Sequence, residues 1–119
     1  MASPLDAAVR PDGHGARIVL TGRIDRDGDD EMTKAYTQAH AMGDGEIVLD
    51  FAATDYINST GIALIVRLLA QARRDGRAVR ASGLSEHYRE IFRITRLSDF
   101  ITLDGEASEP ASPQAGGTR

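Results

Sequence analysis

The sequence predicts an α/β fold: one mostly parallel sheet of about four or five strands, with an antiparallel edge and helices packed against it. Strand-like and helix-like segments alternate along the chain in the order β-β-α-β-α-β-α-β. The later connections are long enough for right-handed crossovers between parallel strands. A length of 119 residues and a hydrophobic content of 41% are typical of a single globular domain.

The first half of the chain supplies a hairpin, a helix and a central strand. A strand over residues 5–9 is expected to pair with the β-branched run 16–22 through the turn-rich residues 11–13. Between residues 29 and 42, apolar or small side chains recur with the period of a one-sided helix. These positions are Met32, Ala35, Tyr36 and Ala39. Residues 46–51 then predict a central strand.

The second half supplies two helices and two strands. A long helix is predicted over residues 59–75, because an apolar stripe recurs with helical spacing and basic residues precede Gly76 at its end. The stripe consists of Ile62, Ile65, Leu68, Leu69 and Ala72. A short strand over residues 78–81 and a last strand over 100–103 flank a third helix. Its marker positions are Leu84, Tyr88, Ile91 and Phe92.

These elements place a single domain in residues 1–104. Residues 105–119 contain two prolines and several glycines, with almost no large apolar side chain. Such a segment cannot bury enough surface to offset the entropy lost on ordering, so we expect a disordered C-terminal tail.

Composition excludes several classes of function. The chain has no cysteine, which rules out disulfides, thiolate metal sites and a cysteine nucleophile. A net charge of −4 argues against direct binding of nucleic acid. The chain starts without a basic and apolar leader, and its longest apolar run falls short of the ~20 residues of a membrane helix. We therefore expect a cytoplasmic protein without membrane contact.

Charged clusters in the sequence have ordinary explanations. The acidic residues between positions 27 and 31 suit the first turn of a helix better than a calcium loop. His14, His40 and His87 lack the spacing of metal ligands, so no metal or cofactor is expected. Four arginines near the end of the long helix predict a solvated basic face. They are Arg73, Arg74, Arg77 and Arg80.

The loop that enters the long helix is the most informative segment. Backbone N–H groups at a helix start lack partners and favour anions, so Ser59 is well placed to carry a phosphate. A helix cap made by Asn58 or Ser59 is the alternative explanation. Thr60 is either a second acceptor or a residue whose hydroxyl bonds locally. Gly61 costs helix stability, which suggests close approach by another backbone, a partner or a neighbouring loop.

Three segments resemble the signature of STAS domains, and within these the bacterial anti-sigma factor antagonists. They are the Leu-Thr-Gly-Arg-Ile-Asp run at residues 20–25, the strand at 47–51 and the Ile-Asn-Ser-Thr-Gly-Ile run at 57–62. The similarity extends through residues 91–97 and covers roughly residues 5–104. The resemblance implies that Ser59 is phosphorylated by a partner kinase that is itself the anti-sigma factor. The residue before this serine is usually aspartate in the family and is Asn58 here.

The resemblance and the helical spacing together suggest a partner-binding surface. Asp25 is a candidate contact beside the phosphorylation loop, although it also suits simple polar punctuation after a strand. Asn58, Thr60 and Gly61 belong to the loop itself. Four helix residues lie off the main apolar stripe, near the N-terminal half, and are expected to face the partner. They are Ala63, Leu64, Arg67 and Gln71.

Three classes of function follow. The first is an anti-sigma factor antagonist, which binds an anti-sigma factor serine/threonine kinase until Ser59 is phosphorylated and is reset by a phosphatase. The second is an enzyme with Ser59 as nucleophile, which would need a base such as His14, His40 or His87 nearby. The third is a STAS subunit of a non-sigma assembly, such as a lipid-transport or sensory complex. We favour the first, without catalysis; the oligomeric state stays open.

Deleting residues 105–119 is expected to leave the free energy of unfolding unchanged, because that segment contributes no core residue. Urea denaturation of the full-length and shortened chains measures the difference. A loss of more than about 1 kcal/mol would mean that the tail docks on the domain.

Overall fold

The computed structural model describes residues 3–104, which form six strands, three helices and two short 3₁₀ turns. The strands are β1 (Asp6–Asp12), β2 (Gly15–Ile24), β3 (Ile47–Asp50), β4 (Thr54–Ile57), β5 (Val79–Ser82) and β6 (Thr102–Leu103). The helices are α1 (Asp29–His40), α2 (Ser59–Arg74) and α3 (Glu86–Ile94). The 3₁₀ turns are Arg26–Gly28 and Leu97–Asp99. The tail predicted over residues 105–119 lies outside the described residues.

All six strands join one mixed sheet. Its main path runs β1-β2-β3-β5-β6, and β4 lies off that path and pairs with β2. β1 and β2 are antiparallel, whereas the β2–β3, β3–β5, β5–β6 and β2–β4 pairs are parallel. The predicted α/β class, with a mostly parallel sheet and an antiparallel edge, is confirmed. The sheet exceeds the expected four or five strands because β4 lies in a segment that the sequence assigned to a loop.

β2 has ten residues and serves two parallel partners in turn. Its first part pairs with β3, and its last part pairs with β4 after a register shift between Gly22 and Arg23. The hydroxyl of Thr54 in β4 also donates to the carbonyl oxygen of Leu20 over 2.8 Å. This second pairing carries the chain from the middle of the sheet to the start of α2.

The core forms between the sheet and the helices, from the positions that the periodicity indicated. Met32, Ala35, Tyr36 and Ala39 of α1 are all buried, which confirms the predicted face. In α2 the stripe is buried at Ile65, Leu68, Leu69 and Ala72, while Ile62 is half-buried. Phe51 and Phe92 meet edge to face, with ring centroids 5.9 Å apart, and join α3 to the end of β3. Such aromatic pairs add to the stability gained from their burial.

The end of the domain differs from the predicted strand over residues 100–103. Only Thr102 and Leu103 pair, with β5. Phe100 is 53% exposed, and the guanidinium of Arg73 lies 5.4 Å from the centroid of its ring. The 3₁₀ turn preceding it starts after Arg96, which has a left-handed backbone conformation with a φ of 68°.

Two of the four arginines predicted to form a solvated face are structural. Arg77 is only 8% exposed. Its guanidinium donates to the Gly45 carbonyl oxygen at 2.7 and 3.0 Å and to the His40 carbonyl oxygen at 3.1 Å. Arg80 pairs with Glu46 and Asp104. Arg77 therefore ties the end of α1 to the turn before β3, and the expectation of a solvated side chain is wrong for this residue.

Replacing Arg77 with lysine is expected to lower the free energy of unfolding by about 2–3 kcal/mol. A lysine ammonium group lacks the planar guanidinium that donates to two carbonyl oxygens at once. Arg74→Lys is the matched control, since Arg74 is exposed and its change should stay within about 0.5 kcal/mol. Urea denaturation of both variants provides the measurement. Equal losses in the two variants would contradict a specific role for the buried guanidinium.

Candidate functional site

The candidate site is the start of α2, where the chain leaves β4 beside the end of β2. Ile57 pairs with Ile24, and the N–H of Asn58 then donates to the Ile24 carbonyl oxygen over 3.3 Å. On the other side, the hydroxyl of Tyr88 in α3 accepts from the Ile57 N–H at 2.9 Å and lies 3.4 Å from the Ile57 carbonyl oxygen. β2 and α3 therefore fix the position from which α2 starts.

Asn58 is the helix cap, and Ser59 is the first residue of the helix. The side-chain oxygen of Asn58 accepts from the N–H of Gly61 over 2.8 Å, with the extended backbone of an N-cap. Ser59 and Thr60 are exposed, and within residues 3–104 neither hydroxyl has a hydrogen-bond partner. Of the two explanations for this loop, capping applies to Asn58. The Ser59 hydroxyl is left free to meet another molecule.

The first turn of α2 carries no acidic residue. By contrast, Asp29, Asp30 and Glu31 occupy the first turn of α1, and Glu86 occupies that of α3. Carboxylates in the first turn offset the partial positive charge of a helix start. At the start of α2 this charge is not offset by an acid in the turn, and the neutral cap Asn58 adds none. The start of α2 therefore favours an added anion.

Gly61 is required by a contact within the chain. It is buried, and a Cβ atom at this position would collide with the carbonyl oxygen of Ile24. The close approach inferred from the sequence is therefore that of the end of β2. A side chain here would push α2 away from the sheet and displace the adjacent Ser59.

Asp25 lies directly after β2 and is held by its own neighbours. One carboxylate oxygen accepts from the N–H of Asp27 at 3.0 Å, and the other accepts from the guanidinium of Arg23 at 2.6 Å. Its side chain is 18% exposed. Asp25 thus caps the 3₁₀ turn that follows β2 and lies one residue from Ile24, which contacts the site. These contacts support a local structural role for Asp25, as a polar residue that follows the end of a strand.

Three of the four helix residues predicted to face a partner instead line a groove between α1 and α2. Leu64 is only 6% exposed, so the expectation that it lies on an outward face is wrong. Arg67 pairs with Asp29 of α1 over 2.9 Å. Gln71 donates to Asp75 at 3.2 and 3.3 Å. These side chains face α1 because α1 packs beside α2 on that side.

The outward face of α2 begins at Ser59 itself. Counting four, seven and eleven residues from Ser59 gives Ala63, Val66 and Ala70, which are all exposed. Val66 is the large apolar side chain of this face and is 45% exposed. We call Ser59, Ala63, Val66 and Ala70 the outward stripe. Ala63 was expected on this face; Val66 and Ala70 were missed, although helical spacing counted from Ser59 would have found them.

Two of the three histidines contact other side chains. His40 Nδ1 lies 2.8 Å from the guanidinium of Arg77, and the ring of His87 packs against that of Tyr88. Across residues 3–104 no histidine hydrogen-bonds to the Ser59 hydroxyl. In the same residues no three metal-ligating side chains come together, and no helix has the length and apolar character to cross a membrane.

Comparison with known structures supports the topology. The chain is 17% identical to an anti-sigma factor antagonist from Mycobacterium paratuberculosis, with a TM-score of 0.69 over 90% of this chain and 92% of that one. It is 14% identical to the unphosphorylated anti-sigma factor antagonist SpoIIAA, with a TM-score of 0.60 over 74% and 82% of the two chains. For the phosphorylated Bacillus SpoIIAA the values are 15% identity and a TM-score of 0.59, over 84% and 92%. At these identities the likeness establishes the fold.

Sequence comparison establishes the family. No curated protein sequence matches the chain. A family model described as "Mlab, STAS domain" does match, over residues 7–103. That range contains the whole sheet except the first residue of β1, together with the three helices and the Asn58–Gly61 turn. The chain therefore belongs to the STAS domain family.

Proposed function

We propose that this protein is an anti-sigma factor antagonist that binds an anti-sigma factor serine/threonine kinase and is released when Ser59 is phosphorylated. A phosphatase would restore the binding form. The protein acts in the cytoplasm as a binding module, without catalysis or cofactor. The observation that carries the proposal is the exposed hydroxyl of Ser59, without a partner in the described chain, on a helix start fixed by Asn58 and Ile24.

The site suits a phosphate without loss of the fold. A phosphoryl group on Ser59 adds about −1.5 to −2 charges and three strong acceptor oxygens. The N–H of Gly61 is already used by Asn58, whereas those of Ser59 and Thr60 have no acceptor within residues 3–104. These two N–H groups and the uncompensated helix start can stabilise the new anion. Phosphorylation should therefore change the surface and leave the domain folded.

The same charge would act against a docked partner. Arg67, the nearest cation along α2, is engaged by Asp29 of α1. The phosphate would therefore stay at the top of the outward stripe without a direct pair from α2. A partner that covers Ala63 and Val66 with an apolar or acidic surface would have to desolvate or oppose that charge. Binding would weaken, which is the behaviour of a phosphorylation switch.

Asn58 supports a modified version of the family site. Its amide oxygen makes the cap that an aspartate carboxylate would make, so the helix start is retained. An amide adds no negative charge beside Ser59. We infer that Asn58→Asp preserves partner binding, since cap geometry is unchanged, and moves the site toward the usual form of the family.

One observation favours a second candidate. The matching family model is described by the Mlab STAS domain and not by an anti-sigma factor antagonist. The third class stated from the sequence, a STAS subunit of a non-sigma assembly, is therefore kept as the alternative. Affinity purification from the native host separates the two. Recovery of a kinase-type ATPase with anti-sigma activity supports the proposal, and recovery of a multi-subunit assembly without one supports the alternative.

Phosphorylation of Ser59 is expected to weaken binding to the isolated anti-sigma kinase by about 100-fold or more, through desolvation and repulsion of the added charge. Ser59→Ala should bind before and after kinase treatment, and Ser59→Asp should bind weakly. Calorimetry gives the affinities, and mass spectrometry locates the phosphate. Thr60→Ala is the matched control and should still switch. The proposal fails if the phosphate lies elsewhere or if both forms of the wild-type chain bind equally.

Ala63→Arg is expected to lower affinity for the kinase at least tenfold, because it places a long charged side chain in the middle of the outward stripe. Gln38→Arg is the matched control: it adds the same charge at an exposed position of α1. Circular dichroism of both variants should match the wild-type spectrum. If the two variants bind as the wild type does, the contact surface lies elsewhere, for example around Asp25.

A further inference from the structure

The groove between α1 and α2 is a second feature with the dimensions of a binding site. Its volume is about 440 Å³, within the range of pockets that hold small molecules. Its apolar lining comes from both helices: Met32 and Tyr36 of α1, and Leu64 and Leu68 of α2. Ser59 is not among the lining residues, so the groove is separate from the phosphorylation site.

One wall of the groove is aromatic. The rings of Tyr36 and His40 lie nearly parallel, with an interplanar angle of 7° and centroids 5.9 Å apart. His40 is held in this position by Arg77, which donates to the His40 carbonyl oxygen and lies against its ring nitrogen. A fixed pair of flat rings beside aliphatic side chains suits the body of an apolar or aromatic ligand.

The carboxylates that line the groove are already satisfied. Asp29 pairs with Arg67. Asp75 accepts from the Tyr36 hydroxyl at 2.6 Å and from the Gln71 amide at 3.2 and 3.3 Å. These hydrogen bonds, that of Tyr36 first, hold the pKa of the Asp75 carboxyl below its usual value. Both acids therefore have their donors within the protein and do not need a cationic ligand.

Arg74 is the charged lining group whose hydrogen bond goes to a neutral side chain. Its guanidinium donates to the neutral amide oxygen of Gln71 over 2.7 Å. Within residues 3–104 it forms no ion pair shorter than 4.0 Å, and its charge acts at longer range on the Asp75 carboxylate, whose pKa it helps to lower. Two acids and two arginines line the groove. Asp29 pairs with Arg67, whereas Asp75 accepts from Tyr36 and Gln71 and lies 4.0 Å from His40 Nε2, so no direct ion pair joins it to Arg74. The groove thus combines an apolar body with a guanidinium at one end that forms no direct ion pair within the described residues.

We propose that the groove between α1 and α2 binds an amphipathic monoanion, with its apolar or aromatic body on Met32, Tyr36 and Leu68 and its acid group on Arg74. Leu68 precedes Arg74 by six residues, about 9 Å along the helix axis. A phenyl ring joined to an acid by a short alkyl chain spans such a distance. The guanidinium can hold the acid with two parallel hydrogen bonds.

The test titrates 4-phenylbutyrate into the ¹⁵N-labelled full chain and follows amide chemical shifts by NMR. The matched probes are 4-phenylbutan-1-ol, which lacks the charge, and 4-phenylbutylamine, which reverses it. The proposal predicts saturable shifts in α1 and α2 around the groove, with the acid bound about tenfold more tightly than the alcohol and the amine weakest. Equal affinities for acid and amine, shifts away from the groove or no saturation would each overturn it.

Two variants test the assigned cation. Arg74→Gln should remove the difference between the acid and the alcohol, while leaving the alcohol's affinity unchanged. Arg73→Gln is the control, because Arg73 lies against Phe100 and does not line the groove. It should keep the tenfold preference. If both variants lose the preference equally, a diffuse basic surface explains it and the proposed site is wrong. Matching thermal midpoints show that both variants remain folded.

Discussion

The contact between the Ile24 carbonyl oxygen and the start of α2 determines the position of the candidate site. This oxygen accepts from Asn58 and also occupies the space that a side chain at residue 61 would need. It can do so because β2 continues past β3 and pairs with β4. The length of β2 thus determines where α2 begins. The orientation of Ser59 follows from that position.

Two helix starts in this domain differ in whether an acidic residue offsets their partial positive charge. α1 begins with Asp29, Asp30 and Glu31, so its partial positive charge is offset within the protein. α2 begins with a neutral cap and two hydroxyl residues, and its charge is offset by nothing in its own turn. Stability alone would favour acids at both places. The start of α2 can therefore accommodate an added anion more readily than the start of α1. The start of α2 also adjoins the outward stripe.

Periodicity predicted the parts of the fold that depend on apolar side chains. Both long helices and their buried faces followed from spacing, as at Ala35 and Leu69, because a helix packed on a sheet buries one face. β4 was missed because Asp55 and Tyr56 are exposed, and the strand is held by backbone pairing and the Thr54 hydroxyl. Backbone pairing of this kind does not require alternating apolar and polar residues, so no strand pattern marks residues 54–57.

The site was predicted in part, for a related reason. The segment, the capping residue type and the exposed serine could all be identified from the loop and the family resemblance. The direction of the α2 surface could not, because α1, which is distant in sequence, packs beside Leu64 and supplies Asp29 as the partner of Arg67. The expectation for Arg77 was also wrong, since its partners are the backbone carbonyl oxygens of residues 40 and 45. Every residue has a carbonyl group, so residue types do not reveal such partners.

The Tyr88 hydroxyl also protects an otherwise open strand edge. β4 pairs with β2 on one side, and on the other side the N–H and carbonyl oxygen of Ile57 meet this hydroxyl. An unpaired edge is a template for strand addition by a second chain, which leads to aggregation. A phenol supplied by α3 occupies that backbone position and blocks such growth beside the serine. The domain can therefore expose the Asn58–Gly61 turn without leaving an unpaired strand edge at Ile57.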